Sequence, residues 1–282
     1  MSAGRAGWRT AAVAVGAALA VLGAWALVVR AGLAADDEPG IPPTEVLVGA
    51  LFFGWPHALA AATAVGAAAR TAVGADGPAR LLALATGGRR DEWGTAMRAE
   101  LASITVSRRE RRRFAAACVP TALRRGAGRS AWITATLCGV VFAALTLATS
   151  RASLDGGRAG SLWAVIYGPP QLTLLAVGFV AAWTGRSMRA GLRHAGAALV
   201  GILVGVLVAA VPEGAHWARE AGVFMLDGDA PSTPITAAAG ARDAFTATLT
   251  WGLVHWLPWP VLGAAAGARL RRRSAPVAAP AG

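Results

Sequence analysis

Six stretches of the chain contain no Asp, Glu, Lys or Arg and are each about as long as a helix that crosses a lipid bilayer. The hydrocarbon core of a bilayer is about 30 Å thick and takes roughly 20 apolar helical residues. Backbone groups within lipid must be satisfied inside the protein, so helices are the expected spanning structure at this length. The sequence therefore predicts an all-α fold, a polytopic transmembrane helical bundle. The six predicted spans are residues 10–29, 46–69, 131–149, 161–184, 194–211 and 244–267.

The composition agrees with a bilayer as the solvent of this chain. Hydrophobic residues make up 55% of its 282 residues, and the mean hydropathy is +0.51. These values exclude an ordinary soluble globular protein. The two longest hydrophilic blocks, residues 70–130 and 212–243, show no apolar core of their own. We therefore predict a single integral membrane domain over residues 1–282.

The distribution of arginine predicts the orientation of the spans. Every basic residue is Arg, and the formal net charge is +12. Positive charge is retained on the cytoplasmic side during insertion. Arginines dominate the N-terminus, residues 70–130, residues 185–193 and the C-terminal tail, whereas acids dominate residues 212–243. The pattern predicts a multi-pass protein of the cell (plasma) membrane with both termini inside, a basic cytoplasmic loop at 70–130 and an acidic extracytoplasmic loop at 212–243.

The first predicted span has a second interpretation as a secretory signal. Arg5 and Arg9 precede it, and Gly32-Leu33-Ala34 has the small-x-small pattern of a cleavage site. Its apolar stretch is long for a signal, so a retained span is favoured and cleavage stays an open alternative.

A helix is predicted near residues 91–104 of the cytoplasmic loop. Trp93, Met97, Leu101 and Ile104 recur at helical spacing and form an apolar stripe. Glu100 projects into that stripe, which argues against a helix lying on lipid. The stripe either packs beneath the membrane domain or docks a protein partner on the cytoplasmic side, and the sequence leaves both open.

A run of arginines follows this helix. The positive-inside rule explains such a run, and anionic lipid head groups are its expected partners beside the bilayer itself. Nucleic acid is not an expected partner, because no recognition fold accompanies the run and no aromatic residues are interleaved with it. The residues predicted to contact head groups are Arg108, Arg109, Arg111, Arg112 and Arg113.

Part of the cytoplasmic loop resembles a segment of uncharacterised actinobacterial multi-pass membrane proteins. The resemblance is carried by Trp93, Ala96-Met97, Ala99-Glu100-Leu101, Arg113-Phe114 and Cys118, and the alanine-, glycine- and arginine-rich composition is typical of the same bacteria. It covers only this short segment and implies no activity.

Two histidines are predicted to lie inside the membrane, where polar groups are costly and often functional. His57 is near the middle of the second predicted span and His255 near the middle of the sixth, each close to Trp and Pro. If they face one another, they could ligate a haem, relay a proton or bind a small substrate. Alternatively, each imidazole could bind a carbonyl that a neighbouring proline has left without its donor.

The fourth predicted span contains Tyr167-Gly168-Pro169-Pro170-Gln171, which predicts a break or kink in its helix. Broken helices line the substrate path of many transporters, but paired prolines also make purely structural kinks, and the sequence shows no convincing inverted repeat between its halves. We therefore group Tyr167 and Gln171 with His57 and His255 as a candidate intramembrane polar site.

Motifs that would carry other chemistry are not seen in the sequence. It contains no HExxH, GxSxG or P-loop pattern, and Cys118 and Cys138 have neither CxxC spacing nor nearby histidines. No catalytic residue, metal or cofactor is therefore expected.

Small-xxx-small patterns at 201–205 and 263–267 predict close helix packing. The predicted function is a permease-like transporter subunit, with a membrane scaffold or regulatory protein as the alternative and a haem-binding or other intramembrane redox protein as a remoter one.

Overall fold

The structure is a computed structural model that describes most of the chain. The described residues are 2–35, 42–72, 92–104, 107, 109–111, 113–114, 117–118, 129–156, 161–185, 187–226 and 233–274. They are helical with no strand among them, which confirms the predicted all-α class. They form two compact units, residues 1–128 and residues 129–282, and each is described by itself.

The N-terminal unit contains a pair of long helices. Helix α1 is Ser2–Ala35 and helix α2 is Pro43–Ala72. Gly49 packs against Val29 and Gly66 against Ala14, so the two helices run antiparallel. A shorter helix, α3, is Glu92–Ser103, which confirms the helix predicted near residues 91–104, although Asp91 lies outside the described residues.

The C-terminal unit is built around one central helix. Its elements are α4 (Arg129–Asp155), α5 (Ser161–Ile166), α6 (Pro169–Thr184), α7 (Met188–Glu220), α8 (Ala237–Ala247), a π-helical turn (Thr248–Gly252), α9 (Leu253–Trp256) and α10 (Pro258–Arg273). Helix α7 packs against α4, α6, α8 and α10. Small residues on several faces of α7 let these four neighbours approach its backbone.

Both small-xxx-small patterns mark close helix crossings within this unit. A Cβ at Gly205 would lie 2.1 Å from the carbonyl oxygen of Gly139, so α7 meets α4 backbone to backbone there. Gly263 and Gly267 of α10 meet the carbonyl groups of Leu175 and Phe179 on α6 in the same way. Close approach at small residues is how helices associate in lipid, where the hydrophobic effect between helices is absent.

Four described helices are long and apolar enough to cross a membrane: Thr10–Ala31, Pro43–Ala67, Ser130–Asp155 and Met188–Glu220. The other two predicted spans are interrupted. The fourth is divided between α5 and α6, because Gly168 adopts φ +88° and Pro169 and Pro170 have no N–H to donate. The sixth contains the π-helical turn and Pro258.

The two interruptions differ in kind. At Gly168 the chain leaves the helical conformation. At Leu257, by contrast, φ is −54° and ψ is −38°, so the backbone stays helical up to Pro258. The described helical path from Ala237 to Arg273 is therefore nearly continuous, with a local gap in its hydrogen bonding.

The predicted boundary at Val211 is wrong. Helix α7 continues through Pro212 to Glu220, so the first part of the predicted acidic loop 212–243 is helical, as is the stretch of α8 after Thr236. Proline costs the helix one hydrogen bond but does not stop it where packing holds the chain on both sides. Trp217 and Ala218 beyond the proline are buried and provide that packing.

Candidate functional site

The two interrupted helices of the C-terminal unit meet at their interruptions. The indole N–H of Trp256, the last residue of α9, donates to the carbonyl of Ile166, the last residue of α5, at 2.9 Å. Both residues are fully buried. This bond satisfies a carbonyl at the end of α5 that has no donor within its own helix.

Tyr167 and His255 are joined across this junction. Nδ1 of His255 lies 2.7 Å from the carbonyl oxygen of Trp251. A carbonyl only accepts, so Nδ1 carries a proton, and in the neutral imidazole Nε2 then presents a lone pair. The hydroxyl of Tyr167, 3.2 Å from Nε2, therefore donates to it. The structure thus brings together two of the four residues of the predicted polar site and assigns the tautomer of the imidazole.

Four rings form a closed group at the junction, and we name Trp163, Tyr167, Trp251 and His255 the aromatic cluster. Tyr167 stacks on Trp163 with centroids 5.0 Å apart and meets His255 edge-on at 4.8 Å. Trp251 completes the group at 6.1 Å from Trp163 and 6.0 Å from His255. These separations fall within the range of favourable aromatic pairs.

Gln171 belongs to the same helix break. Its side-chain oxygen accepts a hydrogen bond from the backbone N–H of Gly168 and so closes the first turn of α6. Gln171 is therefore close in sequence to Tyr167 of the aromatic cluster, and its side chain caps the start of α6 in this structure.

His57 lies in the N-terminal unit, apart from the unit that holds the other three residues of the predicted site. Its Nδ1 donates to the carbonyl of Phe53 at 3.2 Å, and its ring lies 5.2 Å from that of Trp25. A functional pair with His255 stays a prediction.

The hydrogen bonds from the two histidines to Phe53 and Trp251 do not go to the carbonyls that the neighbouring prolines release. Pro56 removes the donor to Phe52, whereas His57 binds Phe53. Pro258 removes the donor to Val254, whereas His255 binds Trp251. Each imidazole instead folds back on the carbonyl four residues earlier, as a helical side chain readily does.

Sequence reasoning missed a second polar cluster, which joins α4 to α7. The Glu213 side chain is 3% exposed and pairs with Arg151 at 2.6 Å. Its other oxygen accepts from Ser150 at 2.7 Å, and Ser150 accepts from the indole of Trp217 at 2.8 Å. Arg151 also donates to Nε2 of His216 at 2.8 Å. We name these five residues the Glu213 network.

Leu101, in the apolar stripe of α3, is covered by residues of its own unit. Leu101 is 1% exposed and packs with Cys118, and Met97, Ile104 and Phe114 surround them. Burial raises the pKa of the Cys118 thiol. The Trp93 side chain lies outside the described residues. Docking of a partner on this stripe stays a prediction, and it would require Leu101 to be uncovered.

The arginine run is described only in part. Arg109 and Arg113 are exposed and Arg111 is half-buried, whereas Arg108 and Arg112 lie outside the described residues. Their predicted contact with lipid head groups stays a prediction.

Among the described residues, no group of three or more His, Cys, Asp or Glu side chains could hold a metal ion. No family model, no curated protein and no solved structure matches this chain.

Proposed function

We propose that this chain is a multi-pass protein of the plasma membrane with a permease-like function, and that small uncharged solutes pass beside the aromatic cluster. One observation carries the proposal: two helices of the same unit are interrupted where they meet, and the interruptions are joined by the Trp256–Ile166 hydrogen bond.

An interrupted helix inside the bilayer leaves backbone groups without their helical hydrogen-bond partners. Backbone groups without helical partners are tolerated there only where protein buries them or where they line a water-filled cavity. Discontinuous helices form the solute sites of many transporters. The π-helical turn before His255 is a second local irregularity of the kind often found at functional sites.

The chemistry of the junction favours an uncharged solute. The aromatic cluster offers ring faces, one hydroxyl and one imidazole, and it contains no Asp, Glu, Lys or Arg side chain. An ion would lose its hydration without gaining a counter-charge from these groups.

The proposed topology has six crossings with both termini in the cytoplasm. Helices α5 and α6 form one composite crossing, and α8 to α10 form another. Helix α6 has 16 residues and is therefore about 24 Å long, which places Tyr167 in the outer part of a core about 30 Å thick. Arg271, Arg272 and Arg273 at the end of α10 fit the cytoplasmic side.

A scaffold function is less favoured by the described residues. Within the stripe that would dock a partner, Leu101 is 1% exposed and so is not available for contact. Haem ligation by His255 is also less favoured, because the Nε2 lone pair that would bind iron accepts from Tyr167.

Solute flux tests the proposal. Proteoliposomes with wild-type protein should reswell faster than protein-free liposomes after osmotic shock with at least one solute of a panel of small uncharged alcohols, amides and heterocycles. His255→Ala should lower that rate about tenfold, since it removes the acceptor at the junction. Gly196→Ala on α7 is the matched control, because no described atom lies within 4 Å of its added Cβ. Reswelling at the protein-free rate for the whole panel would contradict the proposal.

A further inference from the structure

Within the aromatic cluster, the ring of Tyr167 makes the contacts that a bound aromatic solute would make. Tyr167 stacks on Trp163 with an interplanar angle of 20° and meets His255 edge-on at 74°. Its hydroxyl donates to Nε2 of His255. Each of these contacts could be made equally well by a free phenol.

We propose that the aromatic cluster binds planar, uncharged aromatic solutes that carry a hydroxyl or ring N–H donor, and that Tyr167 occupies this position until such a solute replaces it. This inference rests on the proposed function for the location of the solute path, and it adds the chemical class of the solute.

The need for a donor follows from the imidazole. The Trp251 carbonyl holds a proton of His255 on Nδ1, so Nε2 of the neutral imidazole can only accept. A solute that replaces the Tyr167 hydroxyl must therefore donate. An aromatic solute whose only polar group is an ether or a carboxylate has no proton to donate. Its oxygen lone pair would face the lone pair on Nε2 of His255, which is unfavourable.

The backbone beside Tyr167 provides a hinge. Gly168 has φ +88° and ψ −78°, close to the rare γ-turn conformation that other residues adopt only with strain. A Cβ at Gly168 would meet no described atom within 4 Å, so the chain has space to move there. The end of α5 is fixed at Ile166 by Trp256, and the backbone N–H of Tyr167 donates to the carbonyl of Trp163 at 2.9 Å. Motion at Gly168 is therefore confined to the start of α6, and the Tyr167 ring would leave its position by rotation of its own side chain.

The cluster is open on one side. Trp251 is 41% exposed, and Tyr167 and Trp163 are only half-buried, whereas His255 is 7% exposed. A solute can therefore reach the ring faces before it reaches the acceptor, with the imidazole at the closed end.

Binding of two matched probes tests the inference. The probes are 4-hydroxyacetophenone, whose phenol is its one hydrogen-bond donor, and 4-methoxyacetophenone, which has the same ring and no hydrogen-bond donor. Equilibrium dialysis against purified full-length protein in nanodiscs, corrected with empty nanodiscs, should show that wild type binds the hydroxyl probe at least tenfold tighter than the methoxy probe. Tyr167→Ala should strengthen binding of the hydroxyl probe at least tenfold, because the competing ring is removed.

Two variants serve as controls. Phe179→Ala removes a ring of α6 that stacks on Trp183, and it should leave probe binding unchanged. His255→Ala, made in the wild-type chain so that the test survives if Tyr167→Ala fails to fold, should abolish the preference for the hydroxyl probe.

Equal binding of the two probes, or binding by Tyr167→Ala with none by wild type at millimolar probe, would overturn the inference. In the second case Tyr167 would be a fixed packing residue. Probe binding without flux would instead count against the permease-like function alone, and flux of other solutes without probe binding would count against this inference alone.

Discussion

Arg151→Ala is expected to destabilise the protein by about 3 kcal/mol, because it leaves the carboxylate of Glu213 buried without its cation. Glu213 is 3% exposed in the presence of Arg151, so water that enters the space left by Arg151 would replace the guanidinium only in part. Half of the Arg151 side chain is exposed, which places the expected loss at the low end of the range for breaking a buried pair. Thermal unfolding of the purified protein, followed by the remaining monodisperse fraction, measures the effect.

Removing the unpaired negative charge of Glu213 should restore most of the stability that Arg151→Ala loses. The double variant Arg151→Ala with Glu213→Gln should recover about 2 kcal/mol, since a neutral amide can still accept from Ser150. Arg219→Ala, which removes an exposed arginine from the same helix as Glu213, should change stability by less than about 0.5 kcal/mol. If Arg151→Ala were as stable as Arg219→Ala, the ion pair would not be formed in the protein.

Gly205→Ala and Gly196→Ala are expected to change stability in opposite directions. A Cβ at Gly205 would lie 2.1 Å from the carbonyl oxygen of Gly139, so α7 and α4 must separate. Overpacking of this kind costs about 1–3 kcal/mol. A Cβ at Gly196 of the same helix meets no described atom within 4 Å, so alanine should add up to about 1 kcal/mol through helix propensity.

The same thermal assay compares these two glycine variants. A fall in stability for Gly205→Ala together with no loss for Gly196→Ala would support the close crossing of α4 and α7. Equal effects of the two substitutions would contradict it, because both change the same residue type in the same helix.

The sequence predicted the helical class and the positions of the apolar segments, because uncharged apolar stretches of about 20 residues are typical of helices that cross a bilayer. It also predicted the break at Gly168, since consecutive prolines remove backbone donors in any helix. It did not predict that α7 passes through Pro212, because the packing of Trp217 and Ala218 that holds the helix there depends on tertiary structure.

The candidate site was predictable only in part. Tyr167 and His255 stood out as polar residues in apolar stretches, but their contact joins residues 88 positions apart, and no local pattern encodes it. The Glu213 network was missed because Glu213 and His216 were assigned to a loop. Glu213 lies three residues before His216 and four before Trp217. This helical spacing was visible in the sequence and acquires meaning once the helix is known to continue.

Cysteine labelling tests the central claim, that the junction of the interrupted helices opens to water on the outer side. Gln171→Cys and Leu172→Cys, each made in a chain with Cys118→Ala and Cys138→Ala, place a thiol at nearly the same depth on different faces of α6. Gln171 caps the break, whereas the Leu172 side chain is 65% exposed and would face lipid. A membrane-impermeant maleimide added from outside should label Gln171→Cys at least tenfold faster than Leu172→Cys. Labelling of Leu172→Cys at an equal or higher rate would contradict the account. The Leu172 face of α6 would then lie in water, and access at Gln171 would not indicate a solute path at the junction.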